Sequence, residues 1–104
     1  MNKYPVIYQG KEYEVRWERD SFLSYIRVYE VLPRKIFKYK KLNSFYTNAI
    51  HALYDLKLDD EDLYIKQAQY AVKMALEEIE TDNKLKILEE TRKQKLEEWD
   101  GVIE

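Results

Sequence analysis

From Asp60 to Asp100 the chain contains neither glycine nor proline, and this stretch constrains the fold more than any motif does. Those two residues are the usual helix breakers, so their absence admits one long helix. Within it, Ile65, Ala68, Val72, Ala75 and Ile79 recur at spacings of three and four. That pattern is an apolar seam whose alanines allow another helix to approach closely, and it is assigned to self-association. Asp59-Asp60-Glu61-Asp62 supplies carboxylates where unpaired N–H groups and the macrodipole favour them, and Gly101 supplies a stop.

Thr81-Asp82-Asn83 is the one place where the helix is expected to break if it breaks at all. Glu80/Lys84 and Asp82/Lys86 are well-oriented i,i+4 pairs running through that spot, so the expectation is continuity. A helix from 60 to 100 is roughly 60 Å long, against a radius of gyration of about 13 Å for a compact chain of this size. Leu85, Leu88, Leu96 and Trp99 then need another chain to cover them, which implies a homodimer. A break would instead fold them back on the seam.

The residues before this stretch alternate. Residues 4–8 and 12–18 have period two and flank Gln9-Gly10, which reads as a two-residue hairpin turn pairing Tyr8 with Lys11, Val6 with Tyr13 and Tyr4 with Val15. One face then carries Tyr4, Val6, Tyr13, Val15 and Trp17, and the other Glu12, Glu14, Arg16 and Glu18. Pro5 puts the first strand at an edge. A second hairpin is expected around Pro33-Arg34, with Val31 facing Ile36 and Val28 facing Tyr39. Ile26, Val28, Phe37 and Tyr39 then line the core, while Tyr25, Arg27, Tyr29, Lys38 and Lys40 face outward; a slip of one residue would instead gather Tyr25, Tyr29, Phe37 and Tyr39. Asn43 or Ser44 is expected to cap a helix with apolar positions Phe45, Ala49, Ile50, Leu53 and Leu56 lying across the sheet.

The fold class that follows is α+β in a single domain over residues 1–104. A four-stranded antiparallel meander (1–42) is packed on one face by a helix, and a long helical arm completes the helical part (43–104).

Charge is divided along the chain. Residues 1–42 hold ten Lys/Arg against five acids, while residues 43–104 hold eight against fifteen. Such asymmetry steers charged partners without naming them. There is no cysteine, which excludes disulfides, thiolate nucleophiles and thiolate-ligated zinc and fits a reducing, cytoplasmic setting. No stretch approaches the ~20 apolar residues of a membrane span, and no signal-type apolar region is seen near Met1.

Catalytic patterns are missing. His51 is the single histidine and has no Ser-His-acid context, and the acidic run 59–62 lacks the central Gly and closing Glu of a calcium loop. Gly10 and Gly101 stand alone, so nothing cradles a phosphate. The expectation is a non-enzymatic protein with no cofactor and no metal.

The outward set Tyr25, Arg27, Tyr29, Lys38 and Lys40 is the candidate binding surface. A protein partner is the first expectation. Nucleic acid stacking on the tyrosines is the second, and capture of a small nucleotide-type ligand at a dimer interface is the third. The abundance of Tyr, Lys, Ile and Glu favours AT-rich codons, which suggests a phage or mobile-element accessory protein that modulates or inhibits a host protein, for example a defence factor.

Overall fold

The computed structural model describes residues 3–103. Four strands, β1 (Lys3–Tyr8), β2 (Lys11–Arg19), β3 (Ser24–Val31) and β4 (Tyr39–Tyr46), form one antiparallel sheet in sequential order. Two helices follow, α1 (Thr47–Tyr54) and α2 (Leu63–Glu98), giving the α+β layout that the sequence leads one to expect.

The first hairpin has the expected register: Tyr8 pairs with Lys11, Val6 with Tyr13 and Tyr4 with Val15. Gln9 (φ 52°) and Gly10 (φ 78°) both take positive φ, the two-residue turn whose twist matches the strands it joins. Pro5 lies on edge strand β1.

The second hairpin differs from expectation. Residues 32–38 form a loop closed by the Leu32 N–H donating to the Lys38 carbonyl at 2.6 Å. Strand β4 therefore starts at Tyr39, pairs it with Val31, and continues to Tyr46, four residues past the expected end of the meander. Phe37 is not a core residue; it sits in the loop with φ 54° and is 84% exposed. A bulge between the pairs Tyr29–Lys41 and Val28–Asn43 inserts Leu42 and reverses the in/out parity of β4. Tyr39 and Lys41 thus point the same way as Tyr29, whereas Lys40 pairs with Glu30 on the opposite face.

Asn43 and Ser44 are strand residues, not helix caps. The Asn43 side chain accepts the Ser44 N–H at 2.8 Å and donates to Glu78 of α2. Phe45 is buried from β4, and α1 begins behind Tyr46 with no side-chain cap. Of the apolar positions expected for this helix, Ile50 is fully buried and Leu53 is exposed.

The core joins one sheet face (Tyr13, Val15, Ile26, Val28, Phe45) to Ile50 of α1 and to Ala68, Ala71, Val72, Met74 and Ala75 of α2. Each fully buried Val or Ile contributes about 1.5–3 kcal/mol through apolar area removed from water. Ala68, Val72 and Ala75 of the expected self-association seam are consumed by this packing, and Ile65 and Ile79 lie exposed at its ends. Periodicity marks a face as apolar without saying what covers it; here the cover is the chain's own sheet.

Helix α2 is continuous through Thr81-Asp82-Asn83, supported by an ion pair between Glu80 and Lys84 at 3.1 Å. Its acidic approach works differently from side-chain capping. The helix N-cap, Asp62, makes no side-chain cap bond, and Asp60 instead accepts the Asp62 N–H at 2.9 Å and pairs with Lys66. Gly101 follows the last turn with φ 80°. From Glu77 onward every described residue of α2 is exposed. The arm stretches the molecule to 60 Å and raises its radius of gyration to 18.8 Å.

Candidate interaction face

Both helices contribute to the core on one side of the sheet, which leaves the opposite side open. Alternation along β2 sends Glu12, Glu14, Arg16 and Glu18 to the open side, and β3 adds Tyr25, Arg27 and Tyr29. Strand β4 contributes Tyr39 and Lys41 before the bulge and Ser44 and Tyr46 after it.

Arg16 and Arg27 are direct cross-strand partners, a like-charge apposition that is unfavourable unless each cation finds an anion. Glu14 takes Arg16 at 2.6 Å, and Glu18 takes Arg27 at 3.2 Å. The Glu18–Arg27 pair crosses from β2 to β3, whereas Glu14 and Arg16 are two residues apart on β2. The Arg16 guanidinium also lies 4.1 Å from the Tyr29 ring centroid and 4.9 Å from that of Tyr39, and these two rings meet edge-on at 6.4 Å. At the other end, Tyr25 donates to Glu18 at 3.0 Å, accepts from Arg27 at 3.3 Å, and meets Tyr46 edge-on at 6.4 Å. The ladder alternates cation, ring and carboxylate, and holds each side chain in one place.

Two ionisation shifts follow from this geometry. The Tyr25 hydroxyl is raised above its ordinary range, chiefly because it donates to the Glu18 carboxylate. For Arg16, burial opposes the charge, but the Glu14 hydrogen bond and charge prevail and raise it. The Nε of Arg27 is buried among these groups with no hydrogen-bond partner.

Of the sequence-derived binding set, Tyr25, Arg27 and Tyr29 come together on the ladder. Lys38 sits at its loop end, with its Nζ 5.8 Å from the Tyr39 ring centroid. Lys40 does not join them, because the bulge gives its place to Lys41. Arg16, Tyr39, Tyr46 and Lys41 are members outside the candidate binding set; the β2 alternation already puts Arg16 on the charged face, while nothing local announces a bulge.

The loop beside the ladder is apolar at its tip, with Ile36 and Phe37 exposed. It is also basic: Arg34, Lys35 and Lys38 of the loop are followed by Lys41 on the ladder side of β4 and Lys40 on its other side, and none of the five has a carboxylate within ion-pair distance among the described residues.

A concavity of about 870 Å³ opens where α1 and α2 meet the far end of the sheet. Its floor is a chain of three side chains. The Trp17 indole N–H donates to Gln67 Oε1 at 3.0 Å, and Gln67 Nε2 stands 2.8 Å from His51 Nε2. An indole nitrogen only donates, so the Gln67 amide is oriented with its NH2 toward His51, whose Nε2 must accept and whose proton lies on Nδ1. The histidine is thereby a structural tie between α1 and α2. Among the described residues no three His, Cys, Asp or Glu side chains converge in a metal-holding group, and no helix is long and apolar enough to cross a membrane. Comparison with protein-family models, with curated proteins and with solved structures finds no match for this chain.

Proposed function

We propose that this is a non-enzymatic interaction protein that binds a protein partner through the loop end of its open sheet face. The observation that carries the reading is the junction of two surfaces: an internally neutralised Tyr/Arg ladder, and beside it a basic loop with Phe37 held outward. Tyr and Arg fixed in place lose little side-chain entropy on docking, and they are the residue types enriched at interface hot spots. The free Lys/Arg groups call for an acidic rim on the partner, and Phe37 calls for an apolar pocket inside that rim. A role of this kind, modulating or inhibiting a host protein, suits a phage or mobile-element accessory protein.

The five unpaired bases also support a second reading, binding of single-stranded nucleic acid with bases stacked on Phe37 and Tyr39. Against it, Arg16 and Arg27 already have carboxylate partners, so the ladder offers phosphates little net charge. Selection from a displayed random-peptide library, counter-selected on Phe37→Ala/Lys38→Ala protein, separates the two. The protein reading expects enrichment of sequences that combine Asp/Glu with aromatic or aliphatic residues. Failure to enrich any, together with tight, salt-sensitive binding of a labelled 20-nucleotide strand, would transfer the conclusion to nucleic acid.

A further inference from the structure

The last tie between α2 and the sheet is the Asn43–Glu78 hydrogen bond, and beyond it some twenty residues of helix stand free. In proteins most of a helix's stability comes from packing an apolar face. This segment has such a face. Leu85, Leu88, Arg92, Leu96 and Trp99 follow one another at spacings of three, four, four and three, so that Leu85 and Leu96, and likewise Leu88 and Trp99, are eleven residues apart. An eleven-residue repeat keeps a stripe almost straight along a helix. All four apolar members are exposed.

We propose that a second copy of this chain lies antiparallel along this stripe, centred near Glu90. Charge decides the direction. Glu89 and Arg92 sit at the middle of the stripe, 3.8 Å apart. In an antiparallel pair centred there, Glu89 faces Arg92 of the second copy twice over, and the four groups close into a ring; a parallel pair would set Arg92 against Arg92 and Glu89 against Glu89. The same register places Leu85 opposite Leu96 of the second copy and Thr81 opposite Trp99 of the second copy. Lys84 and Lys95 of the second copy meet at the rim, where long stems let the ammonium groups diverge into water. Antiparallel arms also oppose the two macrodipoles and send the two sheet domains to opposite ends.

The absence of cysteine makes the test direct. Light scattering should give twice the 12.7 kDa of the chain, and Leu88→Asp/Leu96→Asp should give the monomer with the near-ultraviolet dichroism of the sheet domain unchanged. Leu85→Cys protein mixed with Leu96→Cys protein should form a disulfide on mild oxidation, and Leu85→Cys alone should not. Arg92→Glu should weaken dimerisation by about tenfold or more, and adding Glu89→Arg should restore it. A monomeric wild type, a dimer that survives Leu88→Asp/Leu96→Asp, or efficient cross-linking of Leu85→Cys to itself would each overturn the proposal.

Discussion

The indole N–H of Trp17 donates to the side-chain carbonyl of Gln67 at 3.0 Å, and this bond determines which way a 95% buried amide faces. Removing the donor by Trp17→Phe leaves a buried acceptor unpaired. The expected cost is about 1–3 kcal/mol from the orphaned group, with packing loss added. Urea unfolding of Trp17→Phe measures it, and a loss below about 0.5 kcal/mol would show that the amide is held by something else. In the wild type, long-range 15N–1H correlation should report His51 as the Nδ1–H tautomer.

The seam of α2 divides into residues that hold the fold and residues that do not. Val72 is 1% exposed and Ile65 is 58% exposed. Val72→Asp places an unpaired carboxylate in the core and is expected to unfold the protein. Ile65→Asp is expected to change stability by no more than about 0.5 kcal/mol and to leave the oligomeric state as it was. Dissociation of a folded protein by Ile65→Asp would return the seam to self-association.

What the sequence made legible and what it hid have physical reasons. Strand β2 has one buried and one solvated face, so Tyr13, Val15 and Trp17 alternate with charges, and Gln9-Gly10 can take the positive φ that a tight turn requires; register followed at once. Strand β4 is an edge strand reading Tyr-Lys-Lys-Leu-Asn-Ser-Phe-Tyr, with an extra residue in the middle, so no period-two signal survives. The displacement of Lys40 from the binding face, and its replacement by Lys41, come from that one inserted residue. Continuity of α2 was legible because two i,i+4 pairs in the sequence span the weakest spot, of which Glu80–Lys84 forms; the identity of its covering surface was not, because an apolar stripe looks the same whether a sheet or a helix lies on it.

Phe37 carries a left-handed backbone (φ 54°) that a side chain with a Cβ adopts at a cost of about 1–2 kcal/mol. Phe37→Gly is therefore expected to leave stability unchanged or raise it by up to about 1 kcal/mol while weakening partner binding at least tenfold. Thermal unfolding and a binding titration on the same variant check both halves. A Phe37→Gly protein that is destabilised by more than about 1 kcal/mol would mean that the ring packs within the fold.

The pH dependence has a defined sign at each end. Burial raises the Tyr13 and Tyr54 hydroxyls above 10.0, the Glu18 hydrogen bond raises Tyr25, and the Asp60 hydrogen bond raises Lys66 above 10.5. Groups raised in the folded state contribute fully below their unfolded values, and the contribution is lost as pH climbs through the folded ones. Asp60 is lowered by its bonds to Lys66 and to the Asp62 N–H, so its contribution is present above 3.8 and lost as pH falls through its folded value. The melting temperature should therefore fall above about pH 10 and again below about pH 4. At 295 nm, Tyr13, Tyr25 and Tyr54 should ionise at higher pH in the native protein than in the urea-unfolded chain. Native midpoints for these three equal to those of the unfolded chain would contradict the Tyr25–Glu18 bond and the burial of Tyr13 and Tyr54.

The central claim is that the open sheet face and its basic loop form the contact surface. The most direct measurement is an amide 15N–1H titration of the folded protein with an acidic-apolar peptide taken from the display selection. The account predicts shifts concentrated on residues 34–41 and on Tyr29 and Arg27, leaving α2 beyond Glu77 and the His51 concavity untouched. Shifts confined to the helical arm or to that concavity, with the loop silent, would contradict it.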